Sequence, residues 1–202
     1  MPEKTGLEFC KEIKSNIKTS HIPFIMLTAK ASVDDQISGV TSGAEVYITK
    51  PFSIRFLIAQ VNQIIETREF IYSRFSQDVH LMPAKVASNE LDQAFLQRAI
   101  DYVIDNLQDP QLGVDSLAEL FNLSRKQVYR KLKGLTGKSA VDFIRMVRLK
   151  EALKLMDTHR YTLSEIAYAT GFNSASYFTR CFKDQFGKAP SEYLESGAHN
   201  LN

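Results

Sequence analysis

The sequence predicts two regions of different fold class. Residues 1–68 read as an α/β segment with two strands. Residues 89–196 read as an all-α domain in which two helix-turn-helix units are joined by a long helix. Three observations carry this. Helical and strand periods alternate over the first 68 residues. The period is purely helical from Asn89 onward. Residues 114–194 contain an internal duplication at an offset of 49 to 50. The 202 residues leave room for two small domains, and 44% hydrophobic with 24% charged residues is a globular composition. That excludes collagen-like and wholly disordered chains. No apolar run approaches the ~18 residues needed to span a bilayer, and no basic-then-apolar leader is visible. Two cysteines, Cys10 and Cys181, are too few for a disulfide framework. A soluble, cytoplasmic protein is expected.

In the first region, Leu7, Cys10, Ile13 and Ile17 give a helical spacing over Gly6–Lys18. Pro23 opens the apolar run Phe24–Thr28, typical of a buried parallel strand. Ser32, with Asp35 three residues on, reads as the start of a helix that Gly43 ends. Glu45–Thr49 is a second strand, stopped by Lys50-Pro51. Ser53 caps a helix through about Thr67 with apolar Phe56-Leu57, Val61 and Ile64-Ile65. Two strands are fewer than such a sheet requires, so its first part is expected upstream of residue 1. Residues 69–88 hold Ser73, Ser76, Pro83 and Ser88, lack a period and read as a linker; residues 197–202 read as a tail.

In the second region, Leu96, Ile100, Val103 and Leu107 form a helical stripe that Asp109-Pro110 breaks. The duplication then aligns Leu117-Ala118 with Ile166-Ala167, Ser124 with Ser174, Val128 with Phe178, Leu132 with Phe182, and Gly137-Lys138 with Gly187-Lys188. Between the copies, Ala140–Met156 reads as one helix with Phe143, Val147, Leu149, Leu153 and Met156 inward. Each copy is a short helix, a tight turn and a second helix, with small residues Ala118 and Ala167 permitting close approach. The turns fall at Asn122-Leu123 and Gly171, and Thr162 with Glu165 forms a capping box. This is the helix-turn-helix pattern, whose second helix can enter a DNA major groove.

With Val128 and Leu132 inward, Arg125, Lys126, Tyr129, Arg130 and Lys133 share the outer face of the first copy. With Phe178, Cys181, Phe182 and Phe186 inward, Ala175, Ser176, Thr179, Arg180 and Lys183 take the same offsets in the second. Arginine can fork onto guanine and small methyl groups can meet thymine, while Lys133 and Lys183 suit phosphates. Charge agrees: residues 114–190 hold 14 Lys+Arg against 7 Asp+Glu, whereas residues 1–70 balance at 8 each. A basic segment of this kind is an electrostatic footprint for nucleic acid.

Residues 90–195 resemble the AraC/XylS family of transcription regulators, most specifically over Ile166–Lys183, with Gly187 and Pro190–Tyr193 continuing the signature. The resemblance implies two recognition helices in successive major grooves on one DNA face. The first region resembles the back half of a CheY-like receiver domain, a doubly wound fold that is here truncated. Leu27-Thr28-Ala29 and Thr49-Lys50-Pro51-Phe52 look like its Thr and Lys-Pro motifs. The resemblance implies that Thr28 and Lys50 contact a phosphoryl group, that the Lys50-Pro51 bond is cis, and that Tyr47 reports the switch. The phosphoacceptor Asp and its acidic magnesium pair would precede Met1, so phosphorylation of this chain at that site is not expected. A receiver followed by this double module resembles the tail of a hybrid two-component sensor, whose full-length parent would be membrane-anchored.

His21, His80, His159 and His199 lack metal-ligand spacing, no phosphate loop or catalytic triad is readable, and Cys181 reads as core. No cofactor, no metal and no enzymatic activity are expected. The expected partner is double-stranded DNA, with RNA polymerase and a second copy, through the receiver's last helix and strand, as further partners. A rival class, a phosphotransfer protein whose main activity is receiver chemistry, needs the phosphoacceptor.

Overall fold

The computed structural model describes residues 4–29, 32, 37–39, 41–77, 83–87 and 89–197. Helix α1 (Gly6–Ser15) is opened by Thr5, which accepts from the Glu8 N–H while its own N–H donates to the Glu8 carboxylate at 2.7 Å. Strands β1 (Ile25–Thr28) and β2 (Val46–Thr49) pair in parallel, Ile25 opposite Val46 through Thr28 opposite Thr49. Cys10, Met26 and Ala44 form a small core with Leu7, Phe24 and Tyr47 around it. Gly43 stands at φ +91°. The expected helix start at Asp34-Asp35 lies outside the described residues; residues 37–39 are helical.

Helix α2 runs from Ile54 to Gln77, which corrects the reading of residues 69–77 as irregular. Its inner face continues past Thr67 as Ile64, Arg68, Ile71 and Phe75, spaced 4, 3 and 4. The arginine at the second step of this stripe hides it in the sequence. Arg68 is accommodated because its guanidinium donates to the Gly134 carbonyl at 2.6 Å and the His21 carbonyl at 3.0 Å. Of the apolar residues expected to face inward on this helix, Phe56, Val61 and Ile65 are exposed. A single 3-10 turn at Pro83–Lys85 leads on to the helical domain.

That domain comprises α3 (Glu90–Asp105), α4 (Val114–Phe121), α5 (Arg125–Thr136), α6 (Ala140–Asp157), α7 (Leu163–Ala169), α8 (Ala175–Phe186) and α9 (Pro190–Gly197). It has two apolar cores, and α6 belongs to both. Phe143, Ile144, Met146 and Val147 pack with Leu96, Leu117, Val128 and Leu132. Leu149, Ala152, Leu153 and Met156 pack with Ile166, Phe178 and Phe182. A helix buried on all sides over most of its length suits the connector of two cores. Among the described residues no helix is long and apolar enough to cross a membrane.

The first region is docked onto the second. Phe75 and Ala87 are buried in the first core, and Ile17 packs against it. Lys131, on the rear of α5, is fully buried and paired with Asp92 of α3. Ser20 completes the group, accepting from Lys131 at 2.8 Å and donating to Asp92 at 2.7 Å. Tyr72 donates to the Gly134 carbonyl at 2.8 Å, and Lys150 to the Phe75 carbonyl at 2.7 Å.

Candidate nucleic-acid interface

The two helix-turn-helix units match at the level of the backbone. In the first, Asn122 takes a left-handed conformation at φ 51° and the Leu123 N–H donates to the Ala118 carbonyl at 2.9 Å. In the second, Gly171 stands at φ +80° and the Phe172 N–H donates to the Ala167 carbonyl at 2.9 Å. Such a turn needs a residue that tolerates positive φ, and asparagine and glycine are the usual ones. Ser124 and Ser174 cap α5 and α8 by accepting from the N–H three residues on. Gly137 (φ +71°) and Gly187 (φ +76°) end them, each donating to a lysine carbonyl four residues back, Lys133 and Lys183. Thr162 and Glu165 form the expected capping box of α7.

These turns set which face is buried. Val128, Leu132, Phe178 and Phe182 are each fully enclosed, and the opposite faces of α5 and α8 are open to solvent. Arg125, Lys126, Tyr129, Arg130, Lys133, Ser176, Thr179, Arg180 and Lys183 are all exposed; Ala175 is half-buried and packs against the second core. Ala175 therefore offers less outward surface than its offset suggested, because the first turn of α8 leans on that core.

Several outer side chains are already engaged. Arg125 is paired with Asp115 of α4, Nη2 to Oδ2 at 2.5 Å. Lys133 donates to the Gly137 carbonyl at 2.7 Å, and Thr179 to the Ala175 carbonyl at 2.9 Å. The Arg180 guanidinium lies 5.3 Å from the centre of the Tyr177 ring. A planar cation on an aromatic face is a pre-set geometry for a planar hydrogen-bonding partner. Among the described residues Lys126, Arg130 and Lys183 keep their charges unpaired. Tyr177 was missing from the sequence reading. The repeat pairs it with Gln127, whose side chain caps α5, and that alignment hid an exposed aromatic.

The basic excess of residues 114–190 overstates what the surface presents, because Lys131 and Lys150 are buried. Burial lowers the Lys131 ammonium, with Asp92 pulling the other way. Burial raises the Asp92 carboxyl, but hydrogen bonds from Lys131, Ser20 and Asn89 outweigh it and hold it below the usual range. Burial, with the Lys131 charge adding to it, pushes the His21 imidazole down to about 4.

In the first region, Thr28 and Lys50 lie side by side at the carboxyl ends of the two strands, the Lys50 N–H donating to the Thr28 carbonyl at 2.7 Å. The Lys50-Pro51 bond is cis, as the resemblance implied. Tyr47 is half-buried, and its ring lies so close to Gly39 that a Cβ there would overlap it. Among the described residues no His/Cys/Asp/Glu cluster capable of holding a metal occurs.

A family model described as a helix-turn-helix domain matches residues 117–196, and one described as a response regulator receiver domain matches residues 1–62. The chain is 36% identical over 193 residues to Histidine kinase P4 of Formosa agariphila, covering 96% of this chain and 14% of that protein. It is 28% identical over 113 residues to the Msm operon regulatory protein of Streptococcus mutans, covering 56% of this chain and 40% of that one. Among solved structures it is similar to a transcriptional regulator with an AraC-type DNA-binding domain from Chromobacterium violaceum. That likeness has 26% identity and a TM-score of 0.49, and covers 53% of this chain and 95% of the other. The chain thus spans well under half the length of the curated relatives it matches.

Proposed function

From a chain that joins part of a receiver domain to an AraC-type helix-turn-helix domain, we propose that it binds double-stranded DNA sequence-specifically, as the output end of a two-component phosphorelay. In this reading α5 and α8 enter successive major grooves on one face of the duplex. Arg125, Lys126, Tyr129, Arg130 and Lys133 serve the first half-site, and Ser176, Thr179, Arg180 and Lys183 the second, with Ala175 at the edge of contact. The reading rests on one observation: two exposed, donor-rich helix faces at matched offsets, each behind the same turn and the same pair of caps. A solvated surface has no reason to repeat such a face. The regulator would act in the cytoplasm and influence transcription through RNA polymerase.

Selection from a random duplex library, followed by binding of the winner across a salt series, tests this. The expected outcome is a two-part motif with half-sites about one helical turn apart and a steep salt dependence. Weak, equally salt-sensitive binding to every duplex overturns the specific reading. On the selected site Arg180→Ala is expected to cost about 1–3 kcal/mol and relax one base position. Lys183→Ala is expected to weaken all duplexes alike and flatten the salt slope by about one unit. Wild-type behaviour of either variant removes that residue from the interface.

A further inference from the structure

The two cores meet on α6 between Val147, in the first, and Leu149, in the second. The residue at the handover is Arg148, which the sequence reading passed over. Its Nη2 donates to the Leu107 carbonyl at 3.0 Å and reaches the Asp109 carbonyl at 3.4 Å. Both carbonyls belong to the loop that leads into α4, so they move with the first unit. On its other side the guanidinium lies against Gly171, the turn residue of the second unit. A Cβ added to Gly171 would sit 2.9 Å from Arg148 Cζ and Nε and would overlap the Leu107 oxygen. A cleft of about 150 Å³ opens beside this contact, lined by Leu112, Gly113, Arg148, Gly171, Phe172 and Tyr177. Glycine at this turn is thus required twice, for positive φ and for the absence of a side chain.

We infer that Arg148 is a positioning residue that sets the spacing of the two recognition helices, by tying the loop before the first unit to the turn of the second. Apart from this tie the units share α6 and one contact through α2, where Gln185 of α8 donates to the Ser76 carbonyl at 2.9 Å, and each otherwise rides its own core. Arginine suits the role because a flat guanidinium can lie on a glycine while one nitrogen serves two carbonyls; lysine offers a point charge with no flat face. Among the described residues the Arg148 Nε is buried without a partner, and Nη2 makes both carbonyl contacts, so the seam is sensitive to loss of that nitrogen. The inference extends the two-groove reading above and depends on it for its consequence on DNA. Two linked modules gain affinity only where their geometry meets both sites together.

The test uses the full chain with Arg148→Ala, Arg148→Gln and Arg148→Lys, on the selected bipartite duplex, on each half-site alone, and on duplexes with one base pair inserted or removed between the half-sites. Wild type is expected to prefer the bipartite duplex by about a hundredfold or more over a half-site. Arg148→Ala should lose about tenfold of that preference and tolerate altered spacing, leaving half-site affinities unchanged, and Arg148→Lys should recover part of the loss. Equal loss on half-sites and bipartite duplexes, or unaltered spacing preference, overturns the inference. Spin labels at Lys126→Cys and Ser176→Cys give a readout without DNA, since Cys10 and Cys181 are buried. The distance distribution between the units is expected to broaden in Arg148→Ala, and an unchanged distribution overturns the inference. Should Arg148→Ala fail to fold, Arg148→Gln carries the same comparisons. If wild type shows no bipartite preference, the two-groove reading fails instead, and the label distances alone decide whether Arg148 holds the seam.

Discussion

The two helix-turn-helix units share a turn, caps and an outer face, yet the rear of their second helices is built from different chemistry. In α5 the rear carries Lys131, Gly134 and Thr136; the same steps in α8 are Cys181, Asp184 and Phe186. Lys131 is buried against Asp92 and Ser20, and the Gly134 carbonyl accepts from both Arg68 and Tyr72. The rear of α8 is aromatic instead, with Phe182 4.7 Å from Phe186 and 5.8 Å from Tyr193 between ring centres. The difference follows from what covers each unit. The first is backed by α3 and by the receiver segment, whose loop and helix bring carbonyls and hydroxyls that need partners. The second is backed mainly by α6 and α9 through apolar bulk, with one polar contact to α2, from Gln185 to the Ser76 carbonyl at 2.9 Å. A duplicated motif thus repeats its backbone and its working face, while its hidden face follows the neighbour.

The largest expected effect comes from removing the charge behind α5. Lys131→Met leaves Asp92 buried and unpaired, an expected loss of ~3–5 kcal/mol, whereas Cys181→Ala at the same step of α8 is expected to cost about 1 kcal/mol. Urea titrations measure both, and adding Asp92→Leu to Lys131→Met should restore most of the loss. Equal costs at the two steps would break the contrast. A smaller effect is expected at Gly134. A Cβ there would sit 2.5 Å from the ring of buried His21, and such overpacking costs ~1–3 kcal/mol, less up to ~1 kcal/mol of improved helix propensity. Asp184→Ala, the counterpart on α8, is exposed and should stay within ~0.5 kcal/mol. Melting curves of the two variants sharpen the comparison.

The third effect is a dependence on pH that comes from His21, buried behind the first unit. His21 is held down to about 4 in the fold, below the ordinary histidine value of 6.5, by burial and by Lys131, Arg68 and Lys14, with Asp92 opposing. The unfolded chain therefore binds the extra proton first, and stability falls as pH drops from 6.5 toward 4, levelling off below that. Asp92, held below 3.8, adds a further loss only at more acid pH. Unfolding measured from pH 7 to pH 4 should show the decline in wild type and a flatter profile in His21→Gln. Identical profiles would remove the histidine from the account.

Much of the fold was legible in the chain because local periodicity and burial agree there. Leu96, Ile100 and Val103 read as a stripe and are buried; Thr162 and Glu165 read as a capping box and form one. The outer faces of α5 and α8 were legible too, since their inner partners are plainly apolar and the helical period then assigns the rest. The extension of α2 was not, because Arg68 occupies an apolar step and its carbonyl partners come from residues 47 and 66 positions away. Tyr177 was hidden by its alignment with a capping glutamine.

The sequence by itself determined the two regions, the duplication and the donor-rich helix faces, for these are set by residues within a few turns of one another. Only the tertiary structure decided that Lys131 and Lys150 are interior groups rather than surface charge, that Arg125 is tied to Asp115, and that Arg148 and Gly171 join the two units. The physical reason is common to all of these. A cation is placed by the carbonyls and carboxylates that reach it, and those groups lie from 10 to more than 70 residues away, beyond the range over which any local period carries information.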